Sequence, residues 1–209
     1  MAHYLAIHPD NPQPRIIKQA VDIIRKGGVI VYPTESCFAL GCHLGDKDAL
    51  ERIRRIRQVD DKHHFTLVCR DLSELATYAK VDNRQYRYLK SAMPGAYTVI
   101  LQATREVPRR VAHAKRATIG LRVPNNVVAQ ALLEELGEPL LSSTLLLPGE
   151  EWPPTDGWEI SERLEHEVDA VLDAGLCGTA VTTVIDLTDA DPVLIRPGAG
   201  DLAVFGLSE

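Results

Sequence analysis

Two short stretches of the chain concentrate the side chains that hold anions. Residues 52–70 carry Arg52, Arg54, Arg55, Arg57, Lys62 and Arg70 against Asp60 and Asp61, with His63 and His64 beside them. Residues 105–122 carry Arg105, Arg109, Arg110, Lys115, Arg116 and Arg122 against Glu106 alone. A guanidinium presents a planar fork of donors that matches phosphate or carboxylate oxygens, so a concave surface lined by both stretches would focus phosphate-bearing ligands. Arg55 and Arg57 are placed to converge on such a ligand, because they close a helix and adjoin the polar turn Gln58–His64. Arg52 and Arg54, further back on that helix, are expected on its solvated face. His63 and His64 would make binding sensitive to pH near neutrality. Arg109, Arg110, Lys115 and Arg116 are candidates for contacts to the phosphates of structured RNA. Few aromatics adjoin them, so stacking on single-stranded bases is not expected.

The remaining composition excludes several classes. With 209 residues, 45% of them hydrophobic, the chain can build one sizeable core, and a single domain over 1–209 is expected. A net charge of −6 excludes a generally basic nucleic-acid coat, so the positive charge must act locally. No apolar run is long enough to cross a bilayer, and the N-terminus lacks the pattern of a signal peptide, which together predict a cytoplasmic protein without a membrane partner. Cys37, Cys42, Cys69 and Cys177 form no CxxC pair and read as reduced, packed thiols, so no protein-ligated metal is predicted. Neither GxGxxG nor GxxxxGK[ST] occurs, and no nucleophile triad or paired-carboxylate motif is evident.

The elements that would position these groups alternate between strand and helix. Apolar residues recur at helical spacing from Ile16 to Ile24 and stop at Gly27-Gly28. Val29–Tyr32 follows as a β-branched buried strand, with Pro33–Ser36 as the loop at its end. Further helices are predicted over Asp46–Arg57, Leu72–Ala79, Asp82–Ala92, Asn125 or Asn126 to Leu136, and 159–167. Further strands are predicted over Phe65–Cys69, Tyr97–Ala103, Thr118–Val123, Leu140–Thr144, Ala170–Leu172, Thr182–Asp186 and Val193–Arg196. Pro148–Gly157, rich in Pro, Gly and acids, reads as a mobile loop. The expected architecture is a mixed α/β sheet with flanking helices.

Six segments, in order, resemble the YrdC-like family, the threonylcarbamoyl-AMP synthases. Tyr32-Pro33-Thr34-Glu35-Ser36-Cys37-Phe38-Ala39-Leu40-Gly41 is similar to YPT(D/E)xxYGLG, and Arg55-Ile56-Arg57 stands at K-x-R. Pro94–Leu101 is similar to PGPxTxIL and Thr118–Pro124 to xxxxRxP. Thr182–Asp186 with Ile195-Arg196-Pro197-Gly198 is similar to STVVD…RPG. The opening IHPDNPQPR and the RIRQ and LLLPG variants look most like the YciO-type branch.

The resemblance implies a YrdC-like twisted mixed sheet around a positively charged cavity, ATP, L-threonine or a related amino acid, and bicarbonate as substrates, and a link to tRNA threonylcarbamoyladenosine modification. It implies that Thr34, Arg122, Thr144 and Thr182 hold the amino acid, with Arg122 on its carboxylate. Arg55, Arg57, His64, Thr118 and Arg196 would meet the nucleotide, and Arg55, Arg57 and Thr144 would act in catalysis. Mg2+ is compatible with such a reaction. Two departures stand out: the family lysine is Arg55, and the S-x-N after the buried strand is Thr144-Leu145-Leu146. Loss of an amide on a charged phosphate costs roughly 1.5–3 kcal/mol, so activity is expected to be weak or altered. The alternative is a double-stranded RNA- or tRNA-binding protein of the same fold without full synthase activity. A third reading is a metabolite-binding protein whose chemistry has drifted to another acyl acceptor.

Overall fold

Local signals set most element ends. In the computed structural model, which describes residues 1–208, Pro14 opens α1 (Pro14–Arg25), where its missing N–H costs nothing. Ile17, Ala20, Val21 and Ile24 fall on its one buried stripe. Asp46 caps α2 (Lys47–Arg57) by accepting from the Ala49 N–H at 2.9 Å. Gln58, in the left-handed region at φ 51°, ends it. α3 (Leu72–Tyr78) is capped by Asp71 and α4 (Asn83–Ala92) by a reciprocal Asp82/Gln85 box. α5 (Val127–Leu136) runs from an Asn126 cap to Gly137, whose φ of 73° suits glycine. α6 (Gly157–Arg163) is capped by Asp156.

The ten strands are β1 (His3–Ala6), β2 (Ile30–Tyr32), β3 (Ala39–His43), β4 (Thr66–Val68), β5 (Tyr97–Gln102), β6 (Thr118–Arg122), β7 (Leu140–Thr144), β8 (Ala170–Asp173), β9 (Thr183–Asp186) and β10 (Val193–Arg196). They form one mixed sheet in the order β1-β8-β2-β3-β7-β4-β6-β5-β9-β10. The predicted mixed α/β architecture is therefore present. β1 and β3 were not expected from the sequence. β1 is too short and too exposed to show a pattern, and β3 passes through Ala39 and Gly41, residues of low strand propensity that are placed by pairing with β2 and β7.

The two faces of the sheet differ. One is covered from end to end: Leu141, Leu67, Leu121, Val99 and Ile185 stand in direct register across β7, β4, β6, β5 and β9. They lie in one apolar core with Ile53 of α2, Leu75 of α3, Leu89 of α4 and Ile160 of α6. On the other face α1 and α5 pack together chiefly over Ile30, Tyr32, Leu140, Ala170 and Leu172, the half of the sheet near β8, β2 and β3, with Val68 of β4 at its margin. Among the described residues, no helix is long and apolar enough to cross a membrane. Pro148–Gly157, read as a mobile loop, is instead tied down: Pro153 is buried, the Thr155 carbonyl accepts from the Cys177 N–H at 3.1 Å, and Asp156 caps α6.

Candidate functional site

The half of the second face that lacks helices is the floor of a cavity of about 410 Å³. Its middle row is Ser142, Thr66, Gly120 and Ile100, in register across β7, β4, β6 and β5. These residues are opposite in pleat to the apolar row above, so a period-two shift in size and polarity separates core from cavity. Gly120 keeps the floor low, because a Cβ there would stand 3.2–3.3 Å from Thr66 Oγ1, the Phe65 carbonyl and Thr98 Cγ2.

Three arginines from distant stretches line this hollow. Arg57 is the last residue of α2, and the left-handed Gln58 turns the chain away beyond it. Its Nε donates to the Leu146 carbonyl at 3.0 Å and its Nη1 to Ser143 Oγ at 2.5 Å. Arg196, on β10, donates through Nη2 to the Thr182 carbonyl at 2.8 Å and to Thr182 Oγ1 at 3.0 Å. Arg122 ends β6, is 7% exposed, pairs with Glu35, and has a buried Nε without a hydrogen-bond partner. The other oxygen of Glu35 accepts from the Asn125 N–H at 3.0 Å. Burial lowers the pKa of Arg57, and the charge of Arg196 lowers it further; Arg196 is lowered too, chiefly by burial. Among the described residues lining the cavity, cations are present without a single aspartate or glutamate. Such a hollow favours anions.

Hydroxyls complete the site. Thr182 Oγ1 lies 2.9 Å from Thr98 Oγ1, and Thr144 lines the wall beside Ser143. Thr34 also lines the cavity, but its hydroxyl donates to the Cys37 carbonyl at 2.6 Å and accepts from the Ser36 and Cys37 N–H groups, so it shapes the β2–β3 loop. Burial, followed by the charges of Arg57, His64 and Arg54, depresses His63 from 6.5 to about 4, and its Nε2 lies 3.2 Å from Ser143 Oγ. His63 is therefore neutral near pH 7. Burial, His113 and Arg116 lower His64 as well.

Several sequence-predicted residues lie elsewhere. Arg55 is exposed and does not line the cavity, because two residues along a helix turn a side chain about 200° from Arg57. Thr118 is buried behind His64 in an adjoining small cleft rather than in the main hollow. Arg109, Arg110, Lys115 and Arg116 are exposed on the segment between β5 and β6. Arg52 and Arg54, expected on a solvated face, are half-buried ties: Arg52 meets Asp169 at 2.8 Å, and Arg54 meets Glu51 at 2.5 Å with its guanidinium 5.4 Å above the Phe65 ring. Sequence reasoning missed Ser143 and Thr98. The run Ser142-Ser143-Thr144 ending a buried strand was the available signal for the first. Among the described residues, no three His, Cys, Asp or Glu side chains are grouped to hold a metal ion.

Residues 22–198 match the model for the Sua5–YciO–YrdC domain, described as "Telomere recombination". The chain belongs to that family. It is 59% identical to the YciO protein of Escherichia coli K12 over 205 residues, covering 98% of this chain and all of that one. The crystal structure of E. coli YciO matches over the same shares of both chains with a TM-score of 0.95. The threonylcarbamoyl-AMP synthase of Bacillus subtilis is 28% identical over 87% of this chain. Pyrococcus abyssi Sua5, solved with L-threonine, superposes with a TM-score of 0.88 at 25% identity over 97% of this chain. The chain spans 53% of the B. subtilis synthase and 61% of that Sua5 chain.

Proposed function

We propose that the cavity carries out a nucleotidyl transfer of the threonylcarbamoyl-AMP synthase type, at reduced or altered rate. Bicarbonate carboxylates the amine of L-threonine or a related amino acid with loss of water. A carbamate oxygen then attacks the α-phosphorus of ATP, the bond to pyrophosphate breaks, and an acyl adenylate forms. Little covalent work falls to the protein, so positioning and charge compensation are what it must supply. Arg122 takes the amino-acid carboxylate, with Thr182 and Thr144 around the side chain and Thr34 shaping the loop beneath. Arg57 and Arg196 offset the triphosphate charge, and His64 and Thr118 lie towards the nucleotide's far end. Arg55, turned away from the hollow, adds only to the long-range positive field, and Mg2+ would accompany the triphosphate rather than be held by the protein.

The observation that carries this reading is the meeting of Arg57, Arg122 and Arg196 in one hollow with no carboxylate among its described lining residues. Mass detection of the adenylate from ATP, bicarbonate and threonine tests it. Product from the wild-type protein and none from Arg122→Ala is expected; no product under conditions in which an S-x-N relative reacts overturns it.

A second reading rests on the exposed cluster Arg109, Arg110, Lys115 and Arg116. On that reading the chain binds tRNA or another double-stranded RNA in the cytoplasm through phosphate contacts. Binding that falls steeply with salt and is lost in Arg109→Glu/Arg110→Glu favours it; binding unchanged by that variant overturns it.

A further inference from the structure

The far edge of the sheet has the opposite character to the cavity. Both tryptophans of the chain are exposed there, Trp152 at 61% and Trp158 at 55%, with Tyr4 at 38% and Leu176 at 79%. Tyr4 and Trp158 meet edge to face at 5.1 Å, and the Tyr4 hydroxyl donates to Asp173 at 2.5 Å, which fixes both rings outward. Glu150 bridges to Arg163 at 2.5 Å, so the loop bearing Trp152 runs along α6, a helix only about 10 Å long whose first turn bears Trp158. Trp152 thus stands on a loop tied to the helix that carries Trp158. Residues 148–176 hold nine acids against Arg163 as the only Lys or Arg, and Glu151, Glu159 and Glu162 are exposed around the rings.

A contiguous aromatic surface left in water marks an interaction site, and its charge selects the partner. Carboxylates around the rings repel nucleic acid and disfavour an anionic membrane. An arginine satisfies both features at once, because its flat guanidinium stacks on an indole while its edge donates to a carboxylate. Lysine, a compact and strongly hydrated charge, fits the carboxylates but not the ring faces as well. We propose that Trp152, Trp158, Tyr4 and the surrounding glutamates dock an extended arginine-rich segment of a partner protein. Tyr4 stands on β1, the edge strand remote from β10, and neither Tyr4, Trp152, Trp158 nor Leu176 lines the cavity.

The two tryptophans are a built-in reporter. Titration of the full-length protein with a peptide of about ten residues alternating arginine and glycine should shift their emission, with the lysine–glycine peptide binding about fivefold more weakly. Trp152→Ala/Trp158→Ala, read by anisotropy of labelled peptide, should weaken arginine-peptide binding about tenfold or more. Glu151→Gln/Glu162→Gln should flatten the salt dependence. All four positions are exposed, and unchanged thermal unfolding will confirm intact folds. Equal affinity for the two peptides, or binding untouched by the tryptophan substitutions, overturns the proposal. Self-association without peptide, detected by sedimentation velocity and lost in the tryptophan variant, also overturns it by making a second copy the occupant.

Discussion

The two halves of one sheet face show how this chain separates stability from function. Near β8, β2 and β3 the face bears Ile30, Tyr32, Ala170 and Leu172 beneath α1 and α5. Across β4, β6 and β5 the same face bears Thr66, Gly120, Arg122 and Thr98, and the space left by the absent helices is the cavity. The opposite face is apolar under both halves, so the open half does not lack support: Leu67, Leu121 and Val99 anchor it from behind. Binding groups are thus mounted on strands and on the end of α2, with the connecting segments adding Thr34, His63, His64 and Thr182.

Substitutions can break that contrast, and the largest effect is expected at Arg122. Arg122→Ala leaves the half-buried Glu35 without its ion-pair partner and should cost about 3–5 kcal/mol of stability, measured by urea unfolding. Arg122→Lys, which restores a charge but no fork, should recover part of it. Next is Leu146→Asn, which returns an amide to the cavity rim and should raise ATP affinity or turnover by about tenfold or more, measured by calorimetry and product formation. Gly120→Val raises the floor of the open half. It should cost about 1–3 kcal/mol through crowding against Thr66 and Thr98 and also reduce ligand affinity.

The smallest effect is a pH dependence. The folded-state value of His63 is depressed to about 4, so the unfolded chain binds its proton first as pH falls. Stability contributed by neutral His63 is therefore present above about 6.5 and lost progressively between there and about 4. His63→Gln should flatten the unfolding midpoint across that window; an unchanged profile would remove His63 as its source.

Much of this organisation was legible in the sequence because it rests on local signals. Caps at Asp46, Asp82 and Asn126 and β-branched runs such as Val29–Tyr32 are each set by a few adjacent residues. The convergence of arginines was expected for Arg57, Arg122 and Arg196 through ordered motifs, which residue spacing alone would not have supplied. What escaped depends on pairing across the chain. β3 is held by its neighbours rather than by its residues, Arg54 is withdrawn from solvent by Phe65, and Ser143 matters through contacts with Arg57 and His63. Arg55 misled because motif spacing records proximity in sequence, whereas helical twist decides which side chain faces the hollow.

Calorimetric titration of ATP into the wild-type protein, Arg57→Ala and Arg196→Ala tests most directly whether distant guanidiniums form one anion site. The account predicts a single site in the wild type, weakened about tenfold or more by either substitution alone. Equal ATP affinity in all three proteins would contradict it.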